Sequence, residues 1–347
     1  MIMRVALMIK IAAGVFVAVL AAAGILFYSY VYAPNVALAE KEHIHLHIPT
    51  GSSYDDVLGM VIDKDLLRHP DRFDWLARQK NYPNRVMAGR YLIRHGMSNN
   101  ELINLLRSGE QSPVRLTFHN IRTNEELAGR IASQIEADST EIIDLLRNHE
   151  LLREAGTDSL PARLLFIPNT YEVFWNTNAR QLFDRMQREY RVFWNEARRQ
   201  RAKEIGLSEA EAGILASIVQ SETNKREEKA RIAGVYMNRL NLGIPLQADP
   251  TVIYALGDFT IRRVLNRHLE IDSPYNTYKY AGLPPGPINL PEPHAIDAVL
   301  HYEEHDYLYF SAKPDFSGYH VFARTYAEHL ANARRYRRAL DERNVFR

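Results

Sequence analysis

The chain opens on an uninterrupted apolar run. Residues Ile11 to Ala33 carry no charged side chain. At ~1.5 Å per residue this run makes a helix of about 34 Å, enough to cross a ~30 Å hydrocarbon layer. Arg4 and Lys10 precede it, Tyr28, Tyr30 and Tyr32 crowd its far end, and Pro34 stops it. Aromatic rings favour the membrane interface and basic flanks stay on the cytoplasmic side. The expected arrangement is a cytoplasmic N-terminus over 1–10, an anchor over 11–33, and a body outside the cytoplasm. Ala37-Leu38-Ala39 offers the other fate, a cleaved signal peptide, although the apolar stretch exceeds the usual signal core of roughly 7–15 residues. In both cases the body is exported.

Beyond the run the periodicity changes. His43-Ile44-His45-Leu46-His47-Ile48 alternates with period two and predicts a strand. Its three histidines share one face, which suits either a metal site or a solvated face; no Asp or Glu follows at a ligand-like spacing. Ser53 to Asp56, Ser98 to Glu101 and Thr123 to Glu126 each place an acidic residue three positions after a hydroxyl, ahead of an apolar helical pattern. This is the signature of a capped helix N-terminus. Strand patterns over Arg90–Arg94 and Val114–His119 precede the last two. Repeated strand–turn–helix segments therefore predict a small α/β module over 40–112 and a mostly helical connecting part over 113–200. The aromatic segment Leu164 to Trp175 fits a core stripe or the wall of a sugar-binding groove. Gln181 to Arg201 reads as one amphipathic helix with Phe183, Met186, Tyr190 and Phe193 on one face. Asp306–Lys313 and Tyr319–Arg324 read as a hairpin, and a basic helix closes the chain from Thr325 to about Leu340. The fold class is α+β, with the catalytic core expected over 201–347.

Composition narrows the function. The chain has 347 residues, 43 Lys+Arg against 42 Asp+Glu, and no cysteine. Balanced charge argues against a nucleic-acid partner, whose binding depends on neutralising phosphates. The absence of cysteine excludes disulfides, thiolate-held metals and a thiol nucleophile.

The stretch with chemistry in it is Glu211 to Thr223. Ile214, Ile218 and Glu222 stack at i, i+4 and i+8 beside Leu215 and Val219. A carboxyl extending an apolar face is partly desolvated, which raises its pKa and lets it keep a proton to donate near neutrality. The same pattern also fits a glutamate that merely solvates the helix end. A second helix is expected from Glu227 to Leu240. Asp249 then suits the cap of a short helix with Pro250 at its first position. Gly282-Leu283-Pro284-Pro285-Gly286-Pro287-Ile288 is a rigid turn suited to a cleft wall.

In order along the chain stand Ala216-Ser217-Ile218-Val219-x-x-Glu222-Thr223, Val235-Tyr236-Met237-Asn238-Arg239-Leu240 and Leu246-Gln247-x-Asp249-Pro250-Thr251-Val252-Ile253-Tyr254. Tyr275-Asn276-Thr277-Tyr278, the Gly282–Ile288 turn, Tyr307-Leu308-Tyr309-Phe310 and His320-Val321-Phe322 follow. Ala88-Gly89-Arg90-Tyr91 and Leu165 to Tyr171 stand earlier. Together these segments resemble the MltG/YceG family of endolytic murein transglycosylases from about residue 40 to 340. The resemblance implies one uncleaved anchor, a LysM-like module after it, and Glu222 as the essential acid. It also implies association with peptidoglycan synthases and termination of nascent strands at the inner membrane. Two positions depart from the family: Gln220 stands where a second glutamate is common, and Asn169 where aspartate is usual.

Residues and resemblance lead to one expected reaction without metal or cofactor. Neutral Glu222 protonates the oxygen between N-acetylmuramic acid and N-acetylglucosamine, and the muramic acid's own C6 hydroxyl closes a 1,6-anhydro ring. Asn238, Gln247, Tyr275, Asn276 and Tyr278 are the expected substrate contacts, with Asp249, Pro285 and Gly286 structural at the site. The alternatives are a hydrolytic muramidase using Glu222 with Asp249, and an anchored glycan-binding protein without catalysis.

Overall fold

The computed structural model describes residues 2–39, 41–154 and 160–343. The chain forms two compact units. The first comprises Met1–Arg115, Gln134–Glu136 and Glu172–Thr177; the second comprises Leu116–Ser133, Ala137–Tyr171 and Asn178–Arg347.

The first unit contains α1 (Ile2–Val31), β1 (His43–Ile48), α2 (Tyr54–Asp63), α3 (Pro70–Gln79), β2 (Gly89–Arg94) and α4 (Asn99–Ser108). β1 and β2 pair antiparallel, from His43 opposite Arg94 to Ile48 opposite Gly89. Alternation sends Leu46, Ile48, Tyr91 and Ile93 into the core beneath the helices, while His43 and His47 face solvent. Both expected capping boxes form. Ser53 and Ser98 accept from the N–H groups of Asp56 and Glu101, whose carboxylates reach back to the cap backbone. At Thr123 the hydroxyl caps as expected, but the Glu126 carboxylate accepts from the Arg122 N–H instead, at 2.7 Å.

Two short strands, β3 (Val114–Thr117) and β4 (Thr170–Val173), pair with each other. The second unit contains α5 (Asn124–Ala132), α6 (Ser139–Arg147), α7 (His149–Glu154), α8 (Ala179–Phe193), α9 (Glu196–Glu204) and α10 (Glu209–Glu222). It continues with α11 (Lys229–Asn241), α12 (Asp249–Leu256), α13 (Pro293–Leu300), the antiparallel hairpin β5 (Tyr309–Ala312) and β6 (His320–Ala323), and α14 (Tyr326–Glu342). In the aromatic segment Leu164–Trp175, Leu164, Leu165, Phe166, Ile167 and Tyr171 are buried core, while Phe174 is 53% exposed.

The long helix expected over 181–201 is two helices. Trp194 turns into the core at 1% exposure, and Asn195 caps α9 by accepting from the Arg198 N–H. A buried Trp followed by a good cap outweighs continuation of the helical pattern.

α10 holds the centre. Every residue from Ala212 to Val219 is buried, so the helix is enclosed on all sides instead of on the one face its apolar spacing suggested. It packs against α9, α11, α12 and α13. Small residues make this possible: a Cβ on Gly213 would lie 3.1 Å from Leu164. On α11, a Cβ at Gly234 would stand 2.3 Å from the Glu303 carbonyl oxygen. Gly234→Ala must therefore push the 303–305 segment off α11, and overpacking of this kind costs about 1–3 kcal/mol. A thermal midpoint unchanged from the parent's would refute that reading.

Candidate active site

α10 begins at a capping box on Ser208 and Glu211 and ends at Glu222, where Thr223 turns extended (φ −146°, ψ 140°). The end of this helix is tied down from two directions. From the 288–292 segment, the Ile288 N–H donates to Ser217 Oγ at 3.0 Å and Asn289 Nδ2 donates to the Ser217 carbonyl at 2.9 Å. Gln220 Nε2 donates to Asn289 Oδ1 (3.4 Å) and the Leu290 carbonyl (3.3 Å), and its Oε1 accepts from the Glu292 N–H at 2.7 Å. From α11, the buried Lys229 ammonium donates to the Thr223 carbonyl at 2.8 Å.

Glu222 emerges from this frame with part of its surface open to solvent and its carboxyl otherwise enclosed by protein. Tyr236 of α11, 2% exposed, donates its hydroxyl proton to Glu222 Oε1 at 2.6 Å. Loss of water raises the Glu222 pKa from 4.5 to about 7; the Tyr236 bond opposes the rise and the charge of Asp249 adds to it. The difference corresponds to about 3 kcal/mol in favour of the neutral form, so desolvation outweighs the hydrogen bond.

Asp249 does not cap α12. It is the helix's first residue, Ala248 occupies the cap position without a side-chain bond, and Thr251 Oγ1 donates to the Ala248 carbonyl at 2.7 Å. Asp249 Oδ1 instead accepts from the Tyr278 hydroxyl at 2.5 Å. Burial pushes its pKa up, against that bond. Asp249 also acts electrostatically on Glu222 and Tyr278. The structure thus brings Glu222, Tyr236, Asp249 and Tyr278 into one cluster.

Gln247 lies beside it in a left-handed conformation (φ +54°), which non-glycine residues adopt sparingly. Its amide oxygen accepts from the buried Arg239, which also donates to the Pro245 and Leu308 carbonyls. Three other expected contacts are engaged within the protein. Asn276 is fully buried and donates to the Leu269 and Ile271 carbonyls while accepting from the Tyr278 N–H. It is a loop staple that holds Tyr278 in place. Asn238 donates to the His305 and Tyr307 carbonyls at 2.6 and 3.0 Å and ties that loop to α11. Tyr275 packs on Tyr254, ring centroids 4.7 Å apart, in a recess shared with Pro285 and Gly286. A Cβ at Gly286 would reach 2.8 Å from the Tyr275 hydroxyl, so a side chain there would have to displace that hydroxyl.

A cleft of 580 Å³ flanks the end of α10. Gln220, Ser221, Asn224 and Lys229 line one wall; Pro250, Ile253, Tyr254 and Phe259 line another, with Arg122 over the Phe259 ring at 4.7 Å. Glu222 stands beside this cleft and does not line it. Sequence reasoning had assigned no role to Tyr236, Arg239, Lys229 or Tyr254. Three of them, Tyr236, Arg239 and Tyr254, sat inside quoted motifs, but only the fold shows which faces they present. Among the described residues, no three His, Asp or Glu side chains gather as a metal-binding group.

A carboxyl with a raised pKa stands at the end of an enclosed helix, beside a polar and aromatic cleft. The chain belongs to the YceG-like family, whose profile matches residues 46–335. The endolytic murein transglycosylase of Bacillus subtilis strain 168 is 29% identical over 304 residues, covering 83% of each chain. That of Streptococcus pneumoniae D39 is 29% identical over 333 residues; the match covers 86% of this chain but 60% of the pneumococcal protein's length. The 2.6 Å crystal structure of a yceG-like protein from Listeria monocytogenes superposes with a TM-score of 0.56 at 28% identity, over 84% of this chain and 99% of that one.

Two outcomes follow from the electrostatics. Glu222 binds its proton more tightly folded than unfolded. The stability it contributes is therefore complete below about pH 4.5 and lost as pH rises through about 7. Glu222→Gln removes that loss. Its gain over the parent should be on the order of 3 kcal/mol larger at about pH 8 than at about pH 4, read by urea unfolding; an equal difference at both would contradict the assignment. Tyr236→Phe deletes the bond that favours the ionised form, so the Glu222 pKa should climb further, by about one pH unit, in a carbon-13 titration of the glutamate side chains. A fall would contradict the geometry.

Proposed function

We propose that this chain is a membrane-anchored endolytic peptidoglycan lytic transglycosylase with Glu222 as its acid. The observation that carries the reading is the Glu222 carboxyl itself: it is desolvated enough to hold a proton near neutrality, fixed by Tyr236, and open on one side. The neutral carboxyl donates its proton to the glycosidic oxygen as the bond from C1 of N-acetylmuramic acid breaks. The resulting oxocarbenium-like centre is captured by the C6 hydroxyl of the same sugar, and that hydroxyl's proton passes to the Glu222 carboxylate. The acid is regenerated, no water is consumed, and the new end is 1,6-anhydro. A tethered nucleophile needs no second carboxylate, because its effective concentration is already high. Gln247, Tyr278 and Tyr275 are the groups we assign to sugar hydroxyls and N-acetyl groups; Asn276 holds the loop that carries Tyr278, and Asn238 ties the 305–307 loop to α11.

The apolar helix α1 is the anchor in this reading. Basic residues before it keep the N-terminus in the cytoplasm and the body on the outer side of the bacterial inner membrane. The β1–β2 and α2–α4 unit is the LysM-like module, and the second unit holds the connecting part and catalytic core. Nascent glycan strands are the substrate, their termination is the outcome, and peptidoglycan synthases are the fitting partners.

Asp249 supports a second reading. A carboxylate close enough to raise the Glu222 pKa could activate water, making the enzyme a hydrolytic muramidase. Product mass distinguishes the two: the anhydro end is lighter by one water than the reducing end. Transglycosylase action predicts anhydro ends from the full chain and cleavage reduced at least ~100-fold in Glu222→Gln. It also predicts that Asp249→Asn retains anhydro ends while its alkaline activity limb shifts to lower pH. Reducing muramic ends that vanish with Asp249→Asn would establish hydrolysis instead, and undiminished cleavage by Glu222→Gln would exclude both.

A further inference from the structure

The end of α1 is not followed by a linker; it is built into the first unit. Asn99 of α4, 1% exposed, donates to the Tyr30 carbonyl at 2.8 Å and accepts from Asn35 Nδ2 at 2.7 Å. Asn35 in turn donates to the His69 carbonyl at 3.1 Å and accepts from the His69 N–H at 2.8 Å. Single β-bridges join Pro34 to Ser98 and Val36 to Leu67. On α3, Arg72 lies 5.2 Å over the Tyr30 ring and Trp75 meets the same ring edge-on, centroids 5.4 Å apart. Trp75 remains 41% exposed.

Depth follows from length. The stretch from Ile11 to Tyr30, just past the charge of Lys10, spans about 30 Å of helix, the full thickness of a hydrocarbon layer. With α1 crossing the bilayer, Tyr30 stands at the outer boundary, flanked by the exposed rings of Tyr28 and Tyr32. Side chains within about one ring diameter of Tyr30 share that depth. A tryptophan with one apolar face open and an arginine at this level suit the headgroup zone, where amphipathic rings and guanidinium groups are both satisfied.

We infer that α3 docks on the outer face of a phospholipid bilayer through Trp75 and Arg72, so that the first unit is fixed against the membrane instead of swinging from it. This rests on the anchoring of α1 proposed above. The test uses the full chain reconstituted in phosphatidylcholine–phosphatidylglycerol vesicles with bromine near the glycerol end of the acyl chains. Trp194 is enclosed in its core and Trp175 packs against His47. Bromine quenching of tryptophan emission should therefore fall at least about two-fold in Trp75→Phe. Arg72→Gln, which keeps Trp75 in place, should reduce it less. Floating vesicles with equal quenching in parent and Trp75→Phe overturn the docking and leave the anchor standing. Protein stripped from the vesicles by alkaline carbonate overturns the anchor and the docking with it.

Discussion

The carboxyl of Glu222 sits where three influences meet: surrounding protein that removes its water, the negative charge of Asp249, and a Tyr236 hydroxyl that favours ionisation. The first two win by about 3 kcal/mol. The balance leaves the group divided between its protonated and ionised forms near neutrality. Deeper burial would lock the proton on and close the site to substrate. Fuller exposure would return the pKa to the ordinary carboxylate range and leave no acid at neutral pH. The C-terminal position on α10 adds to the effect, since the negative end of the helix dipole disfavours a carboxylate there.

A tuned acid is useful only if it stays in place, and the polar groups around the end of α10 fix it. Ser217, Gln220 and Asn289 form a stitched seam between the helix and the 288–292 segment. The amide at Gln220 uses its donor and its acceptor at once, which an ionised glutamate could not do. Across the cluster, Arg239 secures Gln247, and Asn276 and Thr277 hold the loop carrying Tyr278. The strained backbone at Gln247 persists because these bonds over-determine it.

Much of this was legible from local patterns. The strand at His43–Ile48, the capped helices after Ser53 and Ser98, and the β5–β6 hairpin follow from periodicity and cap chemistry, which act over a few residues. The break at Trp194 was not legible, because a core position for one tryptophan is decided by distant packing. Nor was the enclosure of α10, whose small residues read as ordinary helix formers until neighbours approach them. At the site, Glu222 stood out as a candidate through the apolar spacing before it, which fitted a solvated helix end as well. Its partner Tyr236 did not, since a hydroxyl fourteen residues away meets it only after α11 folds back. Asn276 illustrates the converse: an amide in a conspicuous motif suggested a sugar contact, and burial made it a staple.

The two carboxyls of the cluster also divide their work by the kind of element that supports them. Each accepts one tyrosine hydroxyl, so hydrogen bonding alone does not distinguish them. Glu222 takes its bond from a rigid, fully buried helix residue, whereas Asp249 takes its bond from a loop tyrosine and keeps more of its surface in water. Two neighbouring carboxylates resist ionising together, and the last proton stays on the one whose charge is less solvated. That carboxyl is Glu222. The negative charge of Asp249 then helps to keep Glu222 protonated.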